Sequence, residues 1–142
     1  MGGPTATRNL VLFFEDNETI ATLMATVLRD RLGLQVIWVE TVADGLREFG
    51  RHQAEVCLVV ADCRLPDGDG RVVGQQLRQR EPELPVLLTS GRFGGDNYAP
   101  LVPGDLVQFL PKPYSPSELV AGVRLLLERS ATARCGTVAG FV

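Results

Sequence analysis

Lysine is nearly missing from this sequence: of its 14 basic residues 13 are arginine, and Lys112 is the exception. A coding habit that favours arginine explains the arginines but not the exception, because a compact ammonium does a different job from a planar guanidinium. Cysteine is scarce too, and its three copies, Cys57, Cys63 and Cys135, show no CxxC spacing. With a single histidine, His52, they make no convincing zinc site and read as small apolar side chains. An odd cysteine count without a leader segment fits a reducing cytoplasm. No apolar run approaches the roughly 20 residues of a membrane-spanning helix, so no membrane insertion is expected. A formal charge of −3 argues against nucleic acid as a partner, since such domains carry a basic stripe.

What is present is ordered in pattern. At 142 residues the chain has a one-domain length, enough to bury about two-thirds of its unfolded surface without a metal or disulfide staple. The organising stretch is Val56 to Gly70. Its valine-rich start reads as a strand buried on both faces, which belongs in a parallel sheet covered by helices. Pro66, Gly68 and Gly70 cannot continue a central strand, so Asp62 stands at a strand's carboxyl end.

The rest of the chain alternates in the same way. Asn9 to Phe14 is the first apolar run and ends in Glu15 and Asp16. Ile20, Leu23, Met24, Val27, Leu28 and Leu32 recur at helical spacing, with Gly33 as the stop. Leu34 to Val39 reads as the second strand, and Thr41 caps a helix through Val42, Leu46 and Phe49 that closes near Gly50. The strand Val56 to Ala61 is followed by a helix through Val72, Val73, Leu77 and Arg80, ending before Pro82. Pro85 to Thr89 forms the fourth strand, delivering Thr89 and Ser90. Glycines and prolines between Gly91 and Gly104 predict an irregular fourth helix. Leu106 to Leu110 is the fifth strand, and the capping box Ser115-Pro-Ser-Glu118 opens the last helix. Residues 1–8 form a polar lead-in, 9–129 the domain, and 130–142 a tail for which no element is predicted.

Five strands alternating with helices imply an α/β doubly wound parallel sheet, commonly ordered 2-1-3-4-5, with a switch point between strands 1 and 3. Glu15, Asp16 and Asp62 arrive there, and Thr89 and Lys112 come from the next two strands. Crowded carboxylates suit a hard divalent cation. With an ammonium and a hydroxyl beside them they suit a phosphoryl group, and Asp62 becomes a candidate nucleophile.

Phe14-Glu15-Asp16, Val60-Ala61-Asp62-Cys-Arg-Leu-Pro66 with Gly70, Leu88-Thr89-Ser90 and Lys112-Pro113 resemble the receiver domain of bacterial two-component response regulators. The resemblance covers about residues 9–129 and implies a flavodoxin-like fold. It implies that Asp62 takes a phosphoryl group from a sensor histidine kinase or phosphotransfer protein. Asp16, assisted by Glu15, would hold Mg²⁺ or Mn²⁺ together with Asp62 and the backbone carbonyl of Arg64. Lys112 would pair with the phosphoryl group, while Thr89 and Phe109 would act as the switch. Such a protein phosphorylates and dephosphorylates itself without being a metabolic enzyme. Leu88-Thr-Ser-Gly91 and Lys112-Pro-Tyr-Ser115 lean towards receivers of hybrid sensor kinases.

Glu15 departs from the usual Asp, Phe109 lacks the frequent tyrosine hydroxyl, and Arg64 sets a guanidinium beside the acceptor. These departures leave a second reading, a pseudo-receiver that binds partners without being phosphorylated. An Asp-nucleophile phosphatase is a third, disfavoured because Arg64 stands where the second acid of its Asp-x-Asp motif belongs. Asp67 and Asp69 read as turn formers rather than a calcium loop, and Trp38 and Tyr98 as packing or partner-facing aromatics. Receiver dimers often use the fourth helix and fifth strand, so a homodimer stays open.

Overall fold

A computed structural model describes residues 8–91 and 105–134. The lead-in before residue 8, most of the predicted irregular fourth helix with Tyr98, and Cys135 with the tail beyond it lie outside the described residues.

The core strands are β1 (Leu10–Phe14) and β3 (Val56–Asp62), buried at every position. Side chains alternate across a strand, so β1 feeds both faces of the sheet. Leu10, Leu12 and Phe14 cluster with Phe49, Val73 and Leu77, whereas Val11 and Phe13 cluster with Met24, Leu28, Leu119 and Val123. Helices α2 (Val42–His52) and α3 (Gly70–Arg80) therefore cover one face, and α1 (Glu18–Leu32) and α4 (Pro116–Arg134) the other. Each fully buried Leu or Phe contributes about 1.5–3 kcal/mol relative to exposure, which makes the two-sided burial of β1 and β3 the main hold on the fold.

With β2 (Gln35–Val39), β6 (Val86–Ser90) and β7 (Val107–Pro111), the sheet is parallel throughout and ordered β2-β1-β3-β6-β7. This is the expected 2-1-3-4-5, with β6 and β7 as fourth and fifth strands. The switch point lies between β1 and β3. Among the described residues no helix is long and apolar enough to cross a membrane.

The signals expected at Gly33, Thr41 and Ser115 form, and Asn17 is a cap not anticipated from the sequence. Asn17 accepts from the Ile20 amide, Thr41 from the Asp44 amide, and Gly33 ends α1 at φ +67°. Ser115 and Glu118 form the reciprocal capping box at 3.1 and 2.8 Å. Three details differ from the expectation. α2 runs two residues past Gly50 to His52, with no left-handed turn at the glycine. α4 continues to Arg134, past the predicted end of the domain at 129. The Pro66 to Gly70 segment is also more than a loop: β4 (Arg64–Leu65) and β5 (Gly68–Asp69) make a small antiparallel hairpin. Asp67 at its tip accepts from the Val42 and Ala43 amides at 2.7 and 3.1 Å, tying the hairpin to the start of α2. Those amides hold its carboxyl below the ordinary range.

Candidate functional site

The strand ends deliver the site. β1 stops after Phe14 and the next two residues are thrown in different directions, leaving Glu15 fully buried and Asp16 exposed. The main chain of Glu15 extends the ladder, its N–H donating to the Val39 carbonyl at 3.0 Å. From β3 comes Asp62, with only 7% of its surface exposed. Carboxylate oxygens of Glu15, Asp16 and Asp62 lie within 4.8 Å of one another. Three hard oxygen donors at that spacing fit a divalent cation such as Mg²⁺.

Lys112 closes the nest. It follows β7, is joined to Pro113 by a cis peptide, and its N–H donates to the Ser90 carbonyl at 2.7 Å. Its Nζ donates to Glu15 Oε1 at 2.9 Å and to Asp62 Oδ2 at 2.7 Å. The sequence's single ammonium thus bridges two buried carboxylates. Burial pushes Glu15 above its ordinary value, and the Lys112 ammonium only partly offsets this. Burial works to lower Lys112, but the hydrogen bonds it donates to Asp62 and Glu15 prevail and hold it above the ordinary range. The remaining oxygens are also engaged: Glu15 Oε2 accepts from the Asn17 amide and Asp62 Oδ1 from the Arg64 amide, each at 3.0 Å.

Thr89 pairs in register with Asp62 across β3 and β6. Its Oγ1 is buried and has no hydrogen-bond partner among the described residues. A buried hydroxyl without a partner costs about 1–3 kcal/mol, which suits a group reserved for something that arrives. Phe109 lies half-buried, packed on the core face that α2 and α3 cover. Arg64 is exposed, and its amide rather than its guanidinium touches Asp62. Cys63 is half-buried, and burial followed by the Asp69 charge pushes its thiol up to about 12. It is no nucleophile at neutral pH.

Two neighbours, Gly70 and Tyr114, stand in the motifs read from the sequence but carry no expected role at the site. Gly70 presses against the Asp62 backbone, and its N–H donates to the Cys63 carbonyl at 3.1 Å. Tyr114 packs beside α1, lining with Ile20, Met24 and Lys112 a cleft of about 320 Å³. Its buried hydroxyl has no partner among the described residues, and burial with the charges of Glu15 and Asp62 pushes its pKa above the ordinary range. Tyr114→Phe removes that orphan and keeps the ring, so a gain of about 1 kcal/mol in urea unfolding is expected. A loss of similar size would show that the hydroxyl is satisfied.

A parallel sheet in this order, with acids at its switch point facing a lysine from the last strand, is the architecture of a receiver-type α/β domain. The chain belongs to the response regulator receiver domain family, whose model matches residues 11–124. It is 33% identical over 123 residues to the KDP operon transcriptional regulatory protein KdpE of Escherichia coli, covering 86% of this chain and 53% of that protein. It is 30% identical over 120 residues to the sensor kinase CckA of Brucella abortus, covering 84% of this chain and 12% of the kinase. Among solved structures, the signal receiver domain of a putative LuxO repressor from Vibrio parahaemolyticus superposes with a TM-score of 0.78 at 26% identity, covering 89% of this chain and 95% of that one. The chain spans about half the length of regulators such as KdpE. Regulators and a sensor kinase both occur among the relatives, so they do not single out the hybrid-kinase setting.

Proposed function

We propose that this receiver domain is a phosphorylation-dependent switch that accepts a phosphoryl group on Asp62 from a histidine kinase or phosphotransfer protein. The observation that carries the reading is the Lys112 ammonium bonded to both Glu15 and Asp62, with the Asp16 carboxylate within 4.8 Å of theirs. Asp16, Asp62 and the Arg64 carbonyl, assisted by Glu15, would hold Mg²⁺ or Mn²⁺. The cation supplies charge neutralisation for the phosphoryl oxygens. An Asp62 carboxylate oxygen attacks phosphorus, the P–N bond of the phosphohistidine breaks, and the imidazole leaves with the electron pair and takes up a proton. The product is an acyl phosphate on Asp62, which water later returns to carboxylate and inorganic phosphate.

Lys112 would transfer one of its hydrogen bonds from Asp62 to a phosphoryl oxygen, and the orphaned Thr89 hydroxyl would donate another. Movement of Thr89 would let Phe109 repack, a change at the sheet edge with a surface readout. The cytoplasm, where kinases meet ATP, is the compartment this chemistry needs.

The test is intact mass after incubation with Mg²⁺ and acetyl phosphate, beside Asp62→Asn. One added phosphoryl group, absent from Asp62→Asn and without Mg²⁺, is expected. No addition, from acetyl phosphate or from a phosphohistidine protein, would leave the pseudo-receiver as the better reading.

A further inference from the structure

Glu15 is held by more than its side chain. The indole Nε1 of Trp38, the sole tryptophan of the chain, donates to the Glu15 main-chain carbonyl at 2.6 Å. Trp38 is paired in register with Phe13 on the edge strand β2, so its ring reaches forward along β1 to the acid turn. Trp38 also lines a surface cleft with Ile37, Glu40 and Arg47. The bonded carbonyl belongs to the peptide that joins Glu15 to Asp16.

That peptide matters because Asp16 has little else to place it. Its carboxylate is exposed and makes no hydrogen bond or ion pair among the described residues. Glu15 is anchored at its N–H by Val39 and at its carboxylate by Lys112 and Asn17. The direction in which Asp16 leaves the chain is set by the 15–16 peptide plane, and the Trp38 bond fixes that plane. We propose that Trp38 is a positioning residue for the cation site, orienting Asp16 through the Glu15 carbonyl. The inference rests on the reading of Glu15, Asp16 and Asp62 as a divalent-cation site. Groups outside the ligand set that orient ligands are a general feature of metal centres.

A merely structural tryptophan would change stability and leave the cation affinity of the folded protein alone. The experiment therefore measures Mg²⁺ dissociation constants, well below the unfolding temperature, for wild type and Trp38→Phe, which keeps an aromatic ring and deletes the N–H. An affinity about 3- to 10-fold weaker in Trp38→Phe is expected, the net worth of one hydrogen bond. Equal affinities would overturn the positioning role while leaving the cation site intact. Wild type that binds no Mg²⁺ would overturn both.

A second measurement needs no variant. With one tryptophan, the wild-type spectrum holds a single indole N–H resonance. It is expected to be protected from solvent exchange and to shift on Mg²⁺ addition with the dissociation constant measured for the wild type. An indole signal unmoved by saturating Mg²⁺ would count against the proposal even if Trp38→Phe failed to fold.

Discussion

Lys112→Ala is expected to destabilise the protein by about 2–4 kcal/mol at pH 7, and most of that loss should vanish near pH 4. Removing one partner of a buried ion pair typically costs about 3–5 kcal/mol, because the other charge stays behind without compensation. Here two carboxylates are left, one wholly buried and one 10% exposed. The lysine's own 18% exposure lets water take part of its place, which shifts the expectation about 1 kcal/mol below that range.

The pH dependence follows from the direction of the Glu15 shift. In wild type burial already raises Glu15 above 4.5, and Lys112 is the chief influence pulling it back. Without the ammonium, burial and the Asp62 charge act with less opposition, and the folded-state value climbs further. A group whose folded pKa is raised contributes stability that is full below its unfolded value and is lost as pH rises through the folded value. The variant should thus approach wild type near pH 4 and fall behind towards pH 7. Lys112 itself, held above 10.5, stays charged over that whole interval and adds no slope there. Urea unfolding of both proteins at pH 4 and 7 reads the difference directly. An equal loss at the two values would mean that the lysine acts by packing its stem, not through its charge.

The same residue shows how far the sequence could be read. A lone lysine among arginines, placed after an apolar run, pointed to the sheet edge, and strand alternation placed Glu15, Asp16, Asp62 and Thr89 there with it. Buried parallel strands announce themselves by composition, and caps such as Thr41 and Ser115 act within a few residues, so both are legible locally. Contacts that depend on register are not. Nothing near Trp38 in sequence says that its indole meets the carbonyl of Glu15, because the meeting requires β2 to pair with β1 at one register. Asp67 was legible as a turn residue, but its grip on the start of α2 needs the hairpin laid against that helix. The hairpin's strands are two residues each, too short to show any period.

Gly70 is the sharpest case of a local reading that misses a tertiary demand, and it supports the second large effect. A glycine after Pro66 and Gly68 reads as turn chemistry, yet Gly70 opens α3, where alanine would ordinarily be the better helix former by about 0.5–1 kcal/mol. A Cβ there would overlap the Asp62 carbonyl oxygen, with the Asp62 carbonyl carbon at 2.9 Å and Ala61 Cβ at 3.2 Å. Two of these obstacles are backbone of the buried β3 and the third is an alanine Cβ, so no rotamer change relieves them. Either α3 lifts from the sheet or Asp62 moves. Gly70→Ala is therefore expected to cost about 3 kcal/mol, the upper part of the overpacking range, and to slow phosphoryl uptake in the fraction that folds. Gly50→Ala is the internal control: it lies in α2 with open space around it and should gain the ordinary alanine increment. Unfolding by urea and mass-resolved uptake from acetyl phosphate separate the two consequences. If Gly70→Ala matched Gly50→Ala in both, the close approach of α3 to Asp62 would not be what requires glycine at this position.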